Sequence, residues 1–329
     1  MTVVLSHPDA SVRVEDRNGK RVISVDARDG VYAPVSSWAT GYPLELIEHV
    51  LRVKGPAYLC DEIMRDEDPR YVEHDFQWEI LSYAARDDFV GRRVLDFGSG
   101  SGASTMVLSR MFPETQIVGV ELVAEYVELA RHRARHHGIE SRVRFLLSPN
   151  ASALPAEMGD FDYILLSAVY EHLLPIERRA VLEMLWAHLQ HGGVMFLDQT
   201  PYRWFPIEMH TTGLPLLNYL PDRAALYCAR RFSDRVRADE TWLDLLRRGI
   251  RGATTHEVMG LLNRGGRVAH LLAPSRQGVR DHIDLWYRLS SSTRRPQAKR
   301  LMMWGFRAVE AVTRVRMVPT LSLAIQKRG

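Results

Sequence analysis

A glycine-rich stretch constrains this chain more than any other feature. It runs Val94-Leu-Asp-Phe-Gly-Ser-Gly-Ser-Gly102, and Glu121 ends a second apolar run nineteen residues after Gly102. Glycines at alternate positions let the backbone turn sharply and approach a ligand without obstruction by Cβ atoms. A carboxylate at the end of the next strand can accept both hydroxyls of a ribose. The pattern predicts a nucleoside-binding α/β domain with a strand over 93–97 and a helix beginning near Ala103.

The segments after Glu121 continue the alternation of helices and strands that a doubly wound α/β sheet requires. Their apolar patterns predict a helix over 123–137 and strands over 143–147, 161–167 and 189–197. Nearer the end of the chain they predict a helix over 257–266, a strand over 267–272 and a closing strand over 319–327.

The glycines follow Asp96 with the spacing G-x-G-x-G, which differs from the G-x-G-x-x-G of dinucleotide-binding domains. This spacing resembles motif I of class I S-adenosylmethionine-dependent methyltransferases, where an acidic residue precedes the glycines. Asn150–Pro155 is similar to the family's D-A-x-x-L-P segment, and 189–197 to its L-x-x-G-G turn and strand. The resemblance covers residues 75–200 and, more loosely, 255–329. It implies an α/β fold with a Rossmann-like, seven-stranded methyltransferase sheet.

The same resemblance implies the residues that bind S-adenosylmethionine. The glycines pass the methionine moiety, Asp96 organises the loop or the ammonium group, and Glu121 takes the ribose hydroxyls. Asn150 stands where the family usually has Asp near the adenine. The full set of implied cofactor-binding residues is Asp96, Gly98, Ser99, Gly100, Gly102, Glu121, Leu122, Asn150, Ala151 and Ser167. A capping role for Asp96 is compatible with this assignment.

Composition indicates a globular enzyme. The 329 residues are 46% hydrophobic and 25% charged, values typical of soluble domains. No apolar run approaches the ~18 residues of a membrane span, and no signal-peptide pattern is visible. The two cysteines, Cys60 and Cys228, lack the spacing of a disulfide framework or zinc site. We therefore expect a cytoplasmic location.

Positive charge is concentrated in residues 229–314. This region holds eighteen Lys or Arg against eight Asp or Glu, a net of +10, although the whole chain carries only +3. One interpretation is a solvated, arginine-rich surface. The other is a basic face that attracts an anionic substrate or a membrane, in which case the protein would be peripheral to that membrane. The Arg-Arg pairs at 230–231, 247–248 and 294–295 would then contact phosphates. No nucleic-acid-binding signature appears, so nucleic acid is not an expected partner.

Residues 1–74 are predicted to form an N-terminal extension, and residues 75–329 the methyltransferase domain. A β-hairpin turning at Asn18-Gly19 begins the extension and packs on the main domain or on a second subunit, which would make a homodimer. Helical spacing follows over 43–51 and over 61–85, the latter broken near Pro69. Two α-helical cap insertions are predicted at about 200–255 and 275–315, with an amphipathic helix over 298–312.

Aromatic residues ahead of the first sheet strand are candidates for the substrate site. In the resembled family the helix at this position often closes over the methyl donor, which makes Tyr71 and Trp78 candidate lid residues. Phe76 and Trp78 also fit a purely structural role in the core. The segment Arg131–His137, in contrast, is interpreted as an exposed helix face.

The segment Val169-Tyr-Glu-His-Leu173 resembles the V-x-E-H-L that follows the fourth strand in small-molecule O-methyltransferases, including ubiquinone-type enzymes. A histidine there can take a proton from a hydroxyl at neutral pH. This makes His172, with Glu171, a candidate for catalysis and Tyr170 a candidate for substrate binding. Some of those relatives hold a metal with E-x-x-E-H, but Ala168 occupies the first position here, so no metal is expected. The alternative is that Glu171 and His172 only cap the following helix.

The loop from Tyr202 to Gly213 concentrates rings and polar groups. Rings can stack on a sugar or aromatic acceptor while polar tips bind its hydroxyls, so Tyr202, Trp204, Phe205 and Thr211 are candidate substrate residues. His210 and Glu208 are rival bases to His172. A structural elbow that packs Trp204 and Phe205 beneath the cap is the alternative.

These observations favour an S-adenosylmethionine-dependent O-methyltransferase acting on a hydroxyl of a glycan, glycolipid or secondary metabolite. The acceptor would be a small molecule, glycan or lipid-linked compound. A carboxyl or N-methyltransferase of a small acid or lipid is one alternative. A non-catalytic regulatory protein that keeps donor binding is another, although intact glycines and Glu121 disfavour loss of binding.

Overall fold

The computed structural model describes residues 2–28, 33–150, 153–156, 158–290 and 296–328. Its strands are β1 Thr2–His7, β2 Ala10–Arg17, β3 Lys20–Ala27, β4 Ser37–Thr40, β5 Arg93–Phe97, β6 Gln116–Glu121, β7 Val143–Leu147, β8 Phe161–Ser167, β9 Leu189–Pro201, β10 Val268–Leu271 and β11 Thr320–Arg328. Its α-helices are α1 Leu44–Lys54, α2 Pro56–Glu67, α3 Val72–Glu79, α4 Ala103–Met111, α5 Ala124–His137, α6 Pro175–Ala187, α7 Asp222–Phe232, α8 Trp242–Arg247, α9 Thr255–Leu262, α10 His282–Leu289 and α11 Pro296–Thr313.

The predicted seven-stranded α/β sheet is confirmed. Its strand order is β10-β11-β9-β8-β5-β6-β7, and only the pairings of β11 are antiparallel among those recorded for the described strands. The central strands lie within one residue of their predicted starts, because each is a short apolar run bounded by turn residues. No helix in the described ranges has both the length and the apolarity to cross a bilayer.

The chain divides into two compact units. The first comprises Met1–Phe76, Phe89–Gly91 and Ser99–Ser148, and the second comprises the other residues. The predicted boundary between residues 74 and 75 stays a prediction. The division shows that the N-terminal extension shares a unit with the chain from the glycine loop to β7.

The N-terminal hairpin is larger in the structure than the sequence indicated. β1 and β4 flank the predicted pair, giving an antiparallel sheet in the order β1-β2-β3-β4. Alternate residues such as Val12 and Ile23 are fully buried against α1 and α2, in a core that also includes Leu129 of α5. The extension therefore packs within its own chain, and contact with a second subunit stays a prediction.

The second unit holds the cap insertions. In the first, α7 and α8 enclose a small apolar core around Ala225, Leu245 and Ile250. In the second, α10 and α11 pack through Ile283 and Trp286 against Val318, which precedes β11. Both insertions are helical, as predicted, since their apolar residues recur at three- and four-residue intervals.

A buried arginine supports the glycine loop inside the first unit. Arg133 is fully buried on α5, which corrects the expectation that Arg131–His137 forms an exposed face. Its guanidinium donates to the carbonyl oxygen of Ser101 at 3.0 Å, to the Ser101 hydroxyl at 2.7 Å and to the carbonyl oxygen of Glu62 at 3.0 Å. Burial opposes ionisation of Glu62, but the charges of Arg133 and Lys54 outweigh that effect and lower the pKa of its carboxyl. Helix α2 of the extension thereby holds the loop through one cation.

We expect Arg133→Met to destabilise the protein by about 3–5 kcal/mol, because it removes one of the two cations paired with the buried Glu62 carboxylate and the donor to Ser101. Urea denaturation followed by circular dichroism measures the change. Arg135→Met is the matched control, since Arg135 lies on the same helix with its side chain exposed. Equal midpoints for the two variants would show that the buried cation does not stabilise the loop.

Candidate functional site

The glycine loop is fastened to the end of β6 by Glu121. One carboxylate oxygen of Glu121 accepts the N–H of Gly100 at 2.9 Å, and the other accepts the N–H groups of Leu122 at 2.6 Å and Val123 at 3.0 Å. The Ser99 N–H also donates to the carbonyl oxygen of Val120 at 3.1 Å. A carboxylate has about four lone-pair sites, so Glu121 keeps capacity for a further hydroxyl.

Two glycines of this loop are required by close packing. Gly98 has φ of +74°, and a Cβ there would lie 2.7 Å from Val169. Gly102 has φ of +83°, and a Cβ there would lie 2.7 Å from Ala130. Gly100 differs, because its Cβ direction meets no atom within 4 Å. The open side of Gly100, beside the half-exposed Glu121, fits the loop's expected role of passing a nucleoside ligand.

The other candidate donor residues lie at the positions their strands dictate. Asp96 and Ser99 are buried, Ser167 is half-buried at the end of β8, and Asn150 is exposed after β7. Ala151 lies outside the described residues. The roles of these side chains stay predictions.

A cluster of three titratable side chains lies after β8. Nitrogen or oxygen atoms of Glu171, His172 and His210 lie within 4.8 Å of one another. The Nε2 atom of His172 is 3.8 Å from Oε1 of Glu171, and the ring centroids of His172 and His210 are 5.7 Å apart. The structure thus joins the V-Y-E-H-L segment to the loop of the first insertion, and it brings the two rival histidines to one place.

The contacts of His172 define which tautomer its neutral ring adopts. Its Nδ1 is 2.7 Å from the carbonyl oxygen of Arg247. A carbonyl only accepts, so Nδ1 carries the hydrogen, and in the neutral ring Nε2 keeps its lone pair. This assignment follows from the hydrogen-bond network. The basic nitrogen of His172 is therefore the one beside Glu171.

Burial shifts the titration of both neighbours of His172. It raises the pKa of the Glu171 carboxyl, and the nearby His172 offsets part of that rise. One oxygen of Glu171 accepts from the Thr200 hydroxyl at 3.1 Å, while Oε1 has no hydrogen-bond partner among the described residues. Burial, together with His172, lowers the pKa of His210. The cluster combines an anion in an apolar setting with two bases of different exposure.

Sequence reasoning missed two residues that hold this cluster. Gly249 has φ of +89°, and a Cβ there would lie 2.8 Å from the ring of His210 and 3.0 Å from Cγ of Glu171. Arg247 forms two hydrogen bonds with Glu177, at 2.6 and 2.5 Å, which fixes the carbonyl that His172 contacts. The sequence signal that could have identified these residues is the glycine at 249, directly after the Arg247–Arg248 pair. In one of the two interpretations of the basic region this pair contacts phosphates, but Arg248 is also paired, with Glu240 at 2.6 Å.

Glu208 and Thr211 organise their own loop. The Glu208 carboxylate is buried and accepts the N–H groups of His210, Thr211 and Thr212. The Thr211 hydroxyl donates to the carbonyl oxygen of Arg248. These contacts position His210. The roles of Glu208 as a base and of Thr211 as a substrate contact stay predictions.

A cavity of about 170 Å³ opens beside the cluster. Its walls include Tyr202, Phe205, His210, Asn218 and Arg251. Two of the predicted substrate residues, Tyr202 and Phe205, and both rival bases, His210 and Glu208, therefore line the same space. It is smaller than the roughly 300–1,000 Å³ of typical ligand pockets, so it suits one ring or side group of an acceptor.

Trp204 lies outside that cavity, in an exposed aromatic pair. Its ring stacks on Tyr219 with 6.2 Å between centroids and 17° between planes, and Arg203 covers it at 4.1 Å. The Tyr219 hydroxyl donates to the carbonyl oxygen of Trp204 at 2.7 Å. Trp204 and Tyr219 remain 44% and 47% exposed, so the pair offers a fixed apolar face to a ligand.

The remaining candidate substrate residues have structural contacts. Tyr170 is fully buried, and its hydroxyl donates to Glu257 at 3.1 Å, which leaves no surface for an acceptor. The Tyr71 hydroxyl lies 3.3 Å from Asp61, and the Trp78 ring is covered by Arg288 at 5.2 Å. A lid role for Tyr71 and Trp78 stays a prediction.

The cluster also has the ligand number for a metal ion. The expectation of no metal considered only the local motif, in which Ala168 replaces a carboxylate, whereas the structure adds His210 from the insertion. Two imidazole nitrogens and one carboxylate are a ligand set that transition metals accept. Whether a metal takes part is therefore a matter for experiment.

Comparison with known proteins identifies the central domain. Residues 94–193 match a family model described as a methyltransferase domain. The O-methyltransferase hkm8 of Aspergillus hancockii is 32% identical over 117 residues, covering 35% of this chain and 45% of that protein. The release factor glutamine methyltransferase of Chlorobaculum tepidum is 28% identical over 155 residues, covering 46% and 49%. The chain thus spans about half the length of these curated relatives.

Among solved structures, the YcgJ protein of Bacillus subtilis aligns over 78% of this chain and 99% of its own, with 16% identity and a TM-score of 0.44. The family match coincides with the glycine loop, Glu121 and the strands that carry the cluster after β8. The match identifies residues 94–193 as a methyltransferase domain, and in this part the chain is similar to S-adenosylmethionine-dependent methyltransferases.

Proposed function

We propose that this protein transfers the methyl group of S-adenosylmethionine to a hydroxyl of a glycan, glycolipid or secondary metabolite. The observation that carries the proposal is the anchored His172, whose Nε2 lone pair lies beside a buried carboxylate and a second histidine. Hydroxyls are poor nucleophiles at neutral pH and need a group that removes their proton. Side chains arranged to receive a proton therefore suit a hydroxyl acceptor better than an acceptor that is already ionised.

S-adenosylmethionine, when bound, supplies an electrophilic methyl group on a sulfonium. In the proposal, Glu121 accepts the ribose hydroxyls, and the open backbone at Gly100 admits the ligand. The packing of Gly98 on Val169 supports this placement, because Val169 precedes the cluster by only two residues. Gly98 at the end of β5 and the cluster after β8 would then lie at the same end of these two parallel strands, where open α/β sheets bind ligands.

The acceptor oxygen attacks the methyl carbon, the carbon–sulfur bond breaks, and its electron pair remains on sulfur. His172 Nε2 receives the hydroxyl proton, while Nδ1–H stays bonded to the carbonyl oxygen of Arg247. The resulting imidazolium would lie beside the buried Glu171 carboxyl, whose Oε1 is 3.8 Å from Nε2. A base placed in this way typically contributes about 10²–10⁴-fold to a rate.

The cavity and the aromatic pair support a ring-shaped acceptor. His210 lines the cavity, so one ring there would bring its hydroxyl close to the cluster. The stacked Trp204 and Tyr219 could hold a further ring of a longer acceptor through their exposed faces. A screen of saccharides, glycolipids and phenolic compounds with methyl-labelled S-adenosylmethionine tests this class directly.

Glu121→Ala is expected to weaken S-adenosylmethionine binding by about 1.5–3 kcal/mol, because a charged acceptor of hydroxyl hydrogen bonds is lost. Isothermal titration calorimetry measures the dissociation constant. Glu125→Ala is the matched control, since Glu125 is exposed one turn further along the chain. An unchanged constant in a folded Glu121→Ala variant would refute the ribose assignment. Absence of binding in the unmodified protein would exclude an enzyme that uses this donor.

His172→Ala is expected to lower the turnover number about 10²-fold or more while donor affinity is retained. His210→Ala should instead raise the Michaelis constant of the acceptor, since His210 lines the cavity. Steady-state kinetics with the acceptor found in the screen separates the two effects. Near-normal turnover in both variants would argue against histidine base catalysis and favour an ionised acceptor such as a carboxylate.

The pH profile distinguishes the two histidines. A histidine base works in its neutral form, so the rate rises as pH increases through its pKa. Burial lowers the pKa of His210, so a His210 base would place this rise below the ordinary histidine value of about 6.5. Loss of the rise in His172→Ala, with its retention in His210→Ala, is the pattern that the proposal requires.

Activity is expected to survive dialysis against EDTA, because the proposal uses the cluster to accept a proton rather than to hold a cation. The same dialysed sample is assayed with Mg²⁺ and with Zn²⁺ added back. Loss of activity that one of these ions restores would show that Glu171, His172 and His210 act as metal ligands.

A further inference from the structure

Helix α11 has two apolar faces, and only one of them has a partner in the described chain. On the inner face, Phe306 packs edge-on against Trp286 with 4.9 Å between ring centroids, and Met303 joins the same core. Arg307 holds this face against α10 through ion pairs with Asp284 at 2.7 Å and Asp281 at 3.1 Å. These contacts fix the rotation of the helix about its own axis.

The outer face carries large apolar side chains that remain in solvent. Leu301 is 74% exposed, Trp304 is 67% exposed and Val312 is 84% exposed. With 3.6 residues per turn, these three side chains fall within an arc of about 100°, and the small residues Gly305 and Ala308 fall in the same arc. An apolar stripe of this kind on a fastened helix is typical of an interaction surface.

The charges around the stripe have one sign. Residues 288–316 contain eight Lys or Arg and one acidic residue, Glu310. Glu310 is already paired with Arg316 at 2.8 Å. Arg300 and Arg314 are exposed, and no ion pair is recorded for either among the described residues. A second copy of the chain would bring the same positive charge to the contact, so repulsion disfavours a symmetric dimer through this face.

We propose that the outer face of α11 docks on an anionic membrane surface, with Leu301, Trp304 and Val312 inserted among the lipids. A helix with an apolar stripe, a tryptophan and flanking cations binds the interface by apolar burial together with attraction to acidic headgroups. A soluble basic or neutral partner could bury the stripe, but it would offer no attraction to the cations. The inference does not depend on the chemistry of the methyl transfer.

The position of α11 connects this surface with the cavity. Phe306 of the inner face contacts Phe205 edge-on, with 6.0 Å between ring centroids, and Phe205 lines the cavity. A membrane against the outer face would lie one helix thickness from that contact. An acceptor carried on a lipid could then enter the cavity without leaving the bilayer. This step, unlike the docking itself, rests on the proposed function.

Flotation with phosphatidylcholine vesicles that contain about 30% phosphatidylglycerol tests the docking. The full chain is expected to float with these vesicles, to float at least tenfold less with pure phosphatidylcholine, and to dissociate as salt is raised. The variant Leu301→Gln/Trp304→Gln/Val312→Gln should bind at least tenfold more weakly. Ile176→Gln is the matched control, because Ile176 is 86% exposed on α6, and it should float as the unmodified protein does.

The outcomes are separable from those of the proposed function. The triple variant should keep its affinity for S-adenosylmethionine and its turnover of a water-soluble acceptor, since none of its positions lines the cavity or the donor loop. Equal flotation of the triple variant and the unmodified protein would overturn the proposal, as would absence of flotation in both. A lipid-free dimer in analytical ultracentrifugation that the triple variant abolishes would also overturn it, by assigning the face to a second copy.

Discussion

The hydrogen bond from the Gly100 N–H to Glu121 is the constraint on which the donor site depends. It joins the loop after β5 to the end of β6, and the same carboxylate holds the first two residues after the strand. Behind the loop, Arg133 binds Ser101 and Glu62, so the N-terminal extension takes part in shaping it. The extension therefore supports the loop of the proposed donor site, and its removal would leave the buried Arg133 cation without the Glu62 carboxylate.

A second constraint is the lack of a side chain at Gly249. The first insertion can bring His210 against Glu171 only because the backbone passes there with positive φ and no Cβ. The cost of burying Glu171 is offset in part by Thr200 and by the positive form of His172. A carboxylate kept in such a place at a cost in stability is typical of functional sites, where a perturbed pKa is useful. The cluster thus has a physical reason to exist beyond capping the helix that follows.

The sequence predicted the central sheet well because each strand is a short apolar run with clear boundaries, as for 143–147 and 161–167. It predicted the candidate donor residues from the spacing of glycines and Glu121. It could not predict the meeting of His172 and His210, because thirty-seven residues that include α6, β9 and a loop separate them, and no periodic pattern fixes their distance. Sequence reasoning also missed β1 and β4, because polar and apolar residues alternate only weakly along these exposed edge strands. It missed the burial of Arg133, because the basic residues around Arg133 are typical of a solvated helix face. Long-range ion pairs of this kind leave no local signal.

The ion pairs of the basic region, residues 229–314, distinguish arginines that stabilise the cap from cations that remain available to a partner. Arg247, Arg248 and Arg251 of the first insertion are paired with carboxylates, so their charge serves the cap rather than a ligand. Arg300 and Arg314, for which no ion pair is recorded among the described residues, lie on and next to α11, beside a stripe of exposed Leu, Trp and Val. Charge alone would suit any anion, and an apolar stripe alone would suit any hydrophobic partner. Their coincidence on one helix favours an anionic bilayer, because both groups can be satisfied at the same depth only at its interface.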